Sequence, residues 1–223
     1  MVRTKRDLAV RCGVLLVSLV ACGIGTALYV NAALGNDPLT AFIQGLSVQL
    51  GYSYGAAMNI VNIVAIALVL IMDKHFIHLG TVLSLLLGGF ISNFCIDTLS
   101  ALLGPSPQLG VRIVLLLGGT VSIGFGVGFY QAARLGTSPL DALNQIIAAK
   151  LKMPLRRERM LCDALFLVCA LMLGGLVSAG TVVSLLLTGP IMAAVLMKFS
   201  NTVDCWAGGN RSRRRGHLKH TDS

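Results

Sequence analysis

Long apolar runs separated by short polar segments follow one another along the whole chain. Six of them are long enough to cross a membrane as helices, because about 20 helical residues span the hydrocarbon core of a bilayer. These runs occupy residues 8–30, 55–72, 79–103, 111–133, 159–177 and 179–197. The apolar–polar alternation that is typical of membrane β-barrels is missing. The pattern predicts an all-α polytopic membrane protein with six transmembrane helices.

Part of this pattern occurs twice. Residues 25–41 read GTALYVNAALGNDPLTA and residues 126–142 read GVGFYQAARLGTSPLDA, with identical residues at a constant offset of 101. The block GTVLSLLL at 80–87 recurs as GTVVSLLL at 180–187, at an offset of 100. A repeat of about a hundred residues is too long for a solenoid unit, so it indicates a duplicated half-protein.

Each half contains three of the apolar runs, so each half crosses the membrane an odd number of times. The halves must then be antiparallel, related by a pseudo-two-fold axis in the membrane plane, as in many secondary transporters. We expect two inverted three-helix repeats, at 1–103 and 104–199, followed by a basic, disordered cytoplasmic tail at 200–223.

The composition excludes a soluble domain and the charges predict an orientation. Charged residues make up only 12% of the chain, against about 25% in soluble proteins. With the N-terminus inside, every one of the 18 basic residues except Arg112 lies in a cytoplasmic segment, as the positive-inside rule requires. We expect a bacterial inner-membrane protein with both termini and the 134–159 linker in the cytoplasm, and 31–54 and 104–110 outside. The net charge of +9 then reflects orientation and anionic lipid contacts, not nucleic acid binding.

A glycine, a polar residue and a proline form a turn after the first run of each half. Asp37 suits the N-cap of a helix and Pro38 its first position, where a missing N–H costs nothing. In the second half, Ser138 and Asp141 resemble a capping box before the helix that begins at Pro139. The helices at 38–50 and 139–150 are too short and polar to span, so they should be interfacial or re-entrant. If these helices re-enter the membrane, their N-terminal N–H groups form a site for an anion or a carbonyl group. The alternative is that Asp37 and Asp141 simply cap interfacial helices at the membrane edge.

Polar residues inside apolar spans are further candidates, because charges in hydrocarbon are costly. Asn62 lies in the second span, and Asp163 occupies the equivalent position in the fifth. Asp163 could instead pair with Arg159, four residues before it. Asp97 lies toward the outer end of the third span. The candidate pathway residues are therefore Gly35, Asp37, Pro38, Gln44, Gly136, Ser138, Pro139, Asp141, Gln145, Asn62, Asp163 and Asp97.

No motif for catalysis or for a cofactor occurs in the chain. The H-E-x-x-H, G-x-S-x-G, Walker and dinucleotide signatures are all missing. His75 and His78 are three residues apart, but no cysteine or carboxylate stands at ligand spacing. The six cysteines form no C-x-x-C pair and have the character of packing residues. We expect neither an enzyme nor a metal or cofactor site.

The motif G-x-A-L-Y-x-x-A-x-L-G-x-D-P at 25–38 resembles the YczE/YyaS/YitT family of bacterial integral membrane proteins. Its echo at 128–139 and the block at 180–184 extend the resemblance over residues 8–197. The likeness implies an integral membrane protein and transfers no catalytic residue. Because the halves are inverted and the turns are paired, we expect a small-solute transporter or permease, alone or in a homo-oligomer or with a membrane partner. The alternative is a non-transporting membrane factor that binds or regulates a partner complex.

Overall fold

The structure is a computed structural model that describes residues 5–73, 79–104, 108–136 and 138–206. These residues form eight α-helices and no strand. The helices are α1 (Lys5–Ala32), α2 (Pro38–Leu50), α3 (Tyr54–Met72), α4 (Leu79–Leu103), α5 (Leu109–Ala133), α6 (Pro139–Lys150), α7 (Leu155–Met172) and α8 (Ala179–Trp206). Thr137, the His75–His78 pair and the tail from residue 207 lie outside the described residues.

Helices α1, α3, α4, α5 and α8 are each long and apolar enough to cross a membrane. The chain is therefore a multi-pass membrane protein. Helix α7 is not among these helices, because its first turns carry Arg157, Glu158 and Arg159 and its middle carries Asp163. Helix α7 coincides with the predicted fifth span, but it is not one of the five helices that are long and apolar enough to cross a membrane.

Two predicted boundaries in the second half differ from the structure. The fifth span was expected to reach residue 177, but α7 ends at Met172, where Gly174 adopts a φ of +74° that favours glycine. The tail was expected to be disordered from residue 200, but α8 continues to Trp206. Val203 is fully buried in the core, and Asp204 pairs with Arg11 at 2.9 Å, so packing and charge extend this helix.

Helices α1 and α5 pack against each other at the centre of the molecule, with α4 against α1 and α8 against α5. Gly25 and Gly126, which are equivalent in the repeat, allow close approach of the two backbones. A Cβ atom on Gly25 would lie 2.9 Å from the backbone nitrogen of Ile123, and one on Gly126 would lie 2.9 Å from that of Cys22. Since residues early in α1 meet residues late in α5 and the reverse, the two helices are antiparallel.

The short helices pack on the opposite half. Helix α2 contacts α7, and α6 contacts α3. Phe42 of α2 stacks on Phe166 of α7 with ring centroids 5.3 Å apart. In the equivalent contact, Val69 of α3 forms a buried cluster with Ala142 and Ile146 of α6. Each half therefore supplies the surface that covers the short helix of the other.

Candidate functional site

The first turn is a compact polar corner between α1 and α2. Gly35 has a φ of +102° and lies so close to Thr181 that a Cβ atom would come within 2.8 Å of its hydroxyl. Asn36 is fully buried, and its side-chain amide donates to the Gln44 side chain at 2.5 Å. The Asp37 carboxylate accepts the Thr40 N–H at 3.2 Å. The predicted N-cap is confirmed.

The second turn repeats this construction with a different cap. Gly136 has a φ of +120°, and the Ser138 hydroxyl accepts the Asp141 N–H at 3.2 Å. Pro139 occupies the first helical position of α6 and is fully buried. Asp141 does not complete the capping box in the expected way, because its carboxylate pairs with Arg159 at 3.7 Å. Among the described residues, the carboxylate within ion-pair distance of Arg159 is thus Asp141, while Asp163 remains within range of the charge of Arg159.

Each turn is held by the last helix of the opposite half. The Gly80 N–H at the start of α4 donates to the Leu135 carbonyl at 3.0 Å, and the Gly180 N–H at the start of α8 donates to the Leu34 carbonyl, also at 3.0 Å. These four residues are equivalent in pairs in the repeat. The glycines at 80 and 180 allow close approach, because a Cβ atom there would lie within 3.0 Å of the carbonyl it now faces.

Two arginines form another reciprocal contact between the halves. Sequence reasoning missed this contact. The Arg11 guanidinium donates to the Ala133 carbonyl at 3.0 Å, and the Arg112 guanidinium donates to the Ala32 carbonyl at 2.7 Å. Ala133 and Ala32 end α5 and α1, so each arginine neutralises the negative C-terminal end of the other half's first helix. The signal was present in the sequence, since Arg11 and Arg112 are also 101 residues apart.

A small polar cavity of about 30 Å³ lies beside the second turn. A cavity of this size holds a water molecule or two. Its walls come from α5, α6 and α7, and the side chains that line it are Gln131, Asp141, Asn144, Gln145 and Arg159. Gln145 is thus a lining residue, as the repeat suggested, whereas Gln131, Asn144 and Arg159 were not among the candidates. All five are polar, which distinguishes this cavity from the apolar packing around it.

Asp163 connects the two turns electrostatically. It lies at the middle of α7, close enough to Asp37, Asp141 and Arg159 to interact with the charge of each. Asp37 and Asp141 also act on Cys22 at the middle of α1. The carboxylates of Asp37 and Asp141 therefore both lie within electrostatic range of Cys22 and Asp163.

Several acceptor oxygens around this region have no hydrogen-bond partner within the described part of the chain. They include one side-chain oxygen each of Asn36, Asp37 and Glu158, all shielded from solvent. Burial raises the pKa of the Asp37 carboxyl, because the charged form is poorly solvated there. Unfilled acceptors in a buried polar region are suited to a proton, a cation or a donor group of a solute.

Two of the remaining candidates have different surroundings. Asn62 is buried in α3, whereas its repeat equivalent Asp163 is half-buried in α7. Asp97 is exposed near the end of α4 and is not part of the central cluster. Asp97 therefore stays apart from the site that the two turns form.

The chain is similar to several bacterial proteins. Residues 9–197 match the family model described as "Family of unknown function (DUF6198)". The chain is 30% identical over 189 residues to "Uncharacterized membrane protein YczE" of Bacillus subtilis, covering 84% of this chain and 86% of that protein. It is 27% identical over 187 residues to "Uncharacterized protein YyaS" of the same organism, covering 79% and 87%. An "Uncharacterized protein" of Haemophilus influenzae is 30% identical over 169 residues, covering 76% and 75%. No solved structure has significant similarity to the chain.

Proposed function

From the premise that this chain belongs to the family of unknown function DUF6198, we propose that it is a small-solute transporter of the bacterial inner membrane. The observation that carries the proposal is the reciprocal contact of the halves at the two turns, where the Gly180 N–H binds the Leu34 carbonyl and the Gly80 N–H binds the Leu135 carbonyl. Transporters bind their substrates where two inverted halves meet, often at the ends of interrupted helices. In this proposal the protein catalyses no reaction and needs no cofactor.

The proposal includes an inverted-repeat architecture. It is supported by the reciprocal bonds from Arg11 to Ala133 and from Arg112 to Ala32, which a two-fold axis between antiparallel α1 and α5 would interconvert. Helix α7 then provides the sixth crossing. Its 18 residues extend about 27 Å, close to the 30 Å of the hydrocarbon core, with the charged first turns at the interface.

The short helices α2 and α6 are re-entrant in this proposal. Their capped N-termini, at Asp37 and Ser138, both approach the centre, where exposed N–H groups and the helix dipole favour an anionic or carbonyl group. Asp163, at the middle of α7, favours a proton or a cation. A solute that carries both kinds of group, such as a zwitterion, could contact all three.

Transport also requires motion. The polar cavity of about 30 Å³ has room for water only, so an organic solute can enter only when the halves move apart. The cavity lies next to the second turn, which faces the cytoplasm in the predicted orientation. Alternating exposure of the central residues to the two sides of the membrane is the expected consequence.

The test is the accessibility of a cysteine at Ser138. The variant Ser138→Cys is made in a background in which the six native cysteines are replaced, and a membrane-impermeant thiol reagent is applied to right-side-out and inside-out vesicles. We expect modification from both sides, because the central residues alternate in exposure. The matched control is Lys150→Cys, at the exposed C-terminal end of the same helix, which should react from the cytoplasmic side only.

Adding Asp163→Asn to the Ser138→Cys variant tests the role of the carboxylate. If Asp163 takes part in the transition between the outward-open and inward-open states, the ratio of the modification rates from the two sides of the membrane should change. Reaction of Ser138→Cys from a single side, whatever stands at 163, would contradict alternating access. That result would favour the second candidate function, a membrane factor that binds or regulates a partner complex.

A further inference from the structure

The equivalent arginines Arg11 and Arg112 differ in their counter-charges. Arg11 pairs with Asp7 at 2.6 Å and with Asp204 at 2.9 Å. The positions that correspond to these acids in the other half are Gln108, at the offset of 101, and Gly104, at the offset of 100. Neither can carry a negative charge, so the chemistry that neutralises Arg11 is not repeated at Arg112.

Carbonyl groups are the partners that Arg112 does have. Its Nε donates to the Ala32 carbonyl at 2.7 Å and one terminal amino group donates to Ala33. Within the four described segments, the other terminal amino group makes no hydrogen bond and no carboxylate lies within ion-pair distance. A half-buried guanidinium held only by carbonyl dipoles retains its full charge, and an anion would complete its coordination.

An apolar groove of about 340 Å³ lies between α5 and α8, and several of its lining residues are neighbours of Arg112 or of the carbonyl groups that Arg112 binds. Leu109 and Ile113, on either side of Arg112 in the sequence, are part of its wall, as are Leu117 and Val183. Leu34, next to the carbonyl ends that Arg112 binds, lines it as well. The groove is open to the outside of the molecule, where lipid chains surround a membrane protein.

We propose that Arg112 and this groove bind one anionic phospholipid, with its phosphate at the guanidinium and one acyl chain in the groove. The charge selects an anionic headgroup, and the continuous apolar wall selects a lipid over a free anion. Basic pockets between membrane helices bind anionic headgroups by the same chemistry. In the predicted orientation the site faces the outer leaflet, and it does not depend on the transport proposal.

Bromine quenching of a tryptophan in the groove tests this site. Trp206 is the one tryptophan of the chain, so the reporter Leu117→Trp is placed in a Trp206→Phe background. The whole protein is reconstituted in phosphatidylcholine vesicles that contain equal fractions of brominated phosphatidylglycerol or brominated phosphatidylcholine. We expect the anionic lipid to be preferred about fivefold, the effect of one basic residue at an anionic surface. The matched reporter Phe90→Trp, on the exposed face of α4, should show no preference.

Three variants separate the parts of the proposal. Arg112→Gln should abolish the preference at Leu117→Trp, and Arg112→Lys should retain most of it. Val183→Phe, which fills the groove and leaves the arginine unchanged, should also reduce it. The proposal would be overturned if both reporters showed the same preference for the anionic lipid. It would also be overturned if the preference at Leu117→Trp survived Arg112→Gln or Val183→Phe. If inorganic phosphate in the buffer removes the preference, the site binds a free anion and not a lipid.

Discussion

At the scale of single residues, the two turns perform one task with two side chains. Asp37 and Ser138 are equivalent in the repeat, and each accepts the N–H of the third residue after it, Thr40 and Asp141. A carboxylate and a hydroxyl are both good N-caps. Only the carboxylate also places a titratable group near the centre, so the two halves have the same geometry but different chemistry.

The cap predicts a difference between two substitutions of Asp37. Asp37→Asn keeps the acceptor and should change the free energy of unfolding by only a few tenths of a kcal/mol, whereas Asp37→Ala should cost about 1 kcal/mol. Ser138→Ala should cost as much as Asp37→Ala. The measurement is thermal unfolding of the purified variants in detergent, followed by circular dichroism. Equal losses for Asp37→Asn and Asp37→Ala would show that charge, and not capping, is what stabilises the turn.

At the scale of helices, the α1–α5 contact depends on the absence of side chains at two points. A Cβ atom on Gly25 or on Gly126 would lie 2.9 Å from a backbone nitrogen of the partner helix, and small residues let membrane helices pack this closely. A methyl group at either point would meet backbone atoms of the partner helix, which cannot move as a side chain can. The contact therefore tolerates no larger residue without separation of the two helices.

This contact predicts different effects for glycines inside and outside it. Gly25→Ala and Gly126→Ala should each destabilise the protein by about 1–3 kcal/mol through overpacking. Gly13→Ala, where a Cβ atom meets nothing within 4 Å, should be neutral or should stabilise by up to about 1 kcal/mol through helix propensity. Thermal unfolding of the three variants measures this. A loss at Gly13 as large as that at Gly25 would mean that helix packing is not the cause.

At the scale of the whole molecule, reciprocal contacts join the halves at both ends. The different partners of Arg11 and Arg112 predict that the two contacts contribute unequally to stability. Arg11→Gln should cost about 3–5 kcal/mol, because it removes the guanidinium from buried ion pairs with Asp7 and Asp204. Arg112→Gln should cost about 1.5–3 kcal/mol, the value of hydrogen bonds from a charged donor. Unfolding in a graded denaturant compares them. A larger loss for Arg112→Gln would contradict the assignment of counter-charges.

The proposed inversion has a second test in a pair of equivalent residues. Gln49 and Lys150 are 101 residues apart, and both are exposed at the C-terminal ends of α2 and α6. In an inverted repeat they face opposite sides of the membrane. An impermeant thiol reagent applied to intact cells should therefore label Gln49→Cys and miss Lys150→Cys. Labelling of both from the same side would exclude the inverted arrangement.

Local properties of this chain could be predicted from its sequence. Helix positions follow from apolar run length, and both turns and their caps follow from Gly, Asp, Ser and Pro, because these depend on a few neighbouring residues. The end of α7 at Met172 and the extension of α8 to Trp206 depend on contacts with distant residues. The pairing of Arg159 with Asp141 also depends on residues that are distant in the sequence. The offset between Arg11 and Arg112 was visible, but its meaning requires knowing that α1 and α5 are antiparallel.

The exchange of short helices between the halves also determines the order in which the chain can fold. Helix α6 finds its partner α3 already made when it leaves the ribosome, but α2 must wait until α7 has been synthesised. Until then the face that carries Ala41 and Phe42 has no partner, and the long intervening chain makes the eventual contact slow to form. The first half thus remains open during most of translation, and docking of α7 on α2 closes the bundle late in its biogenesis.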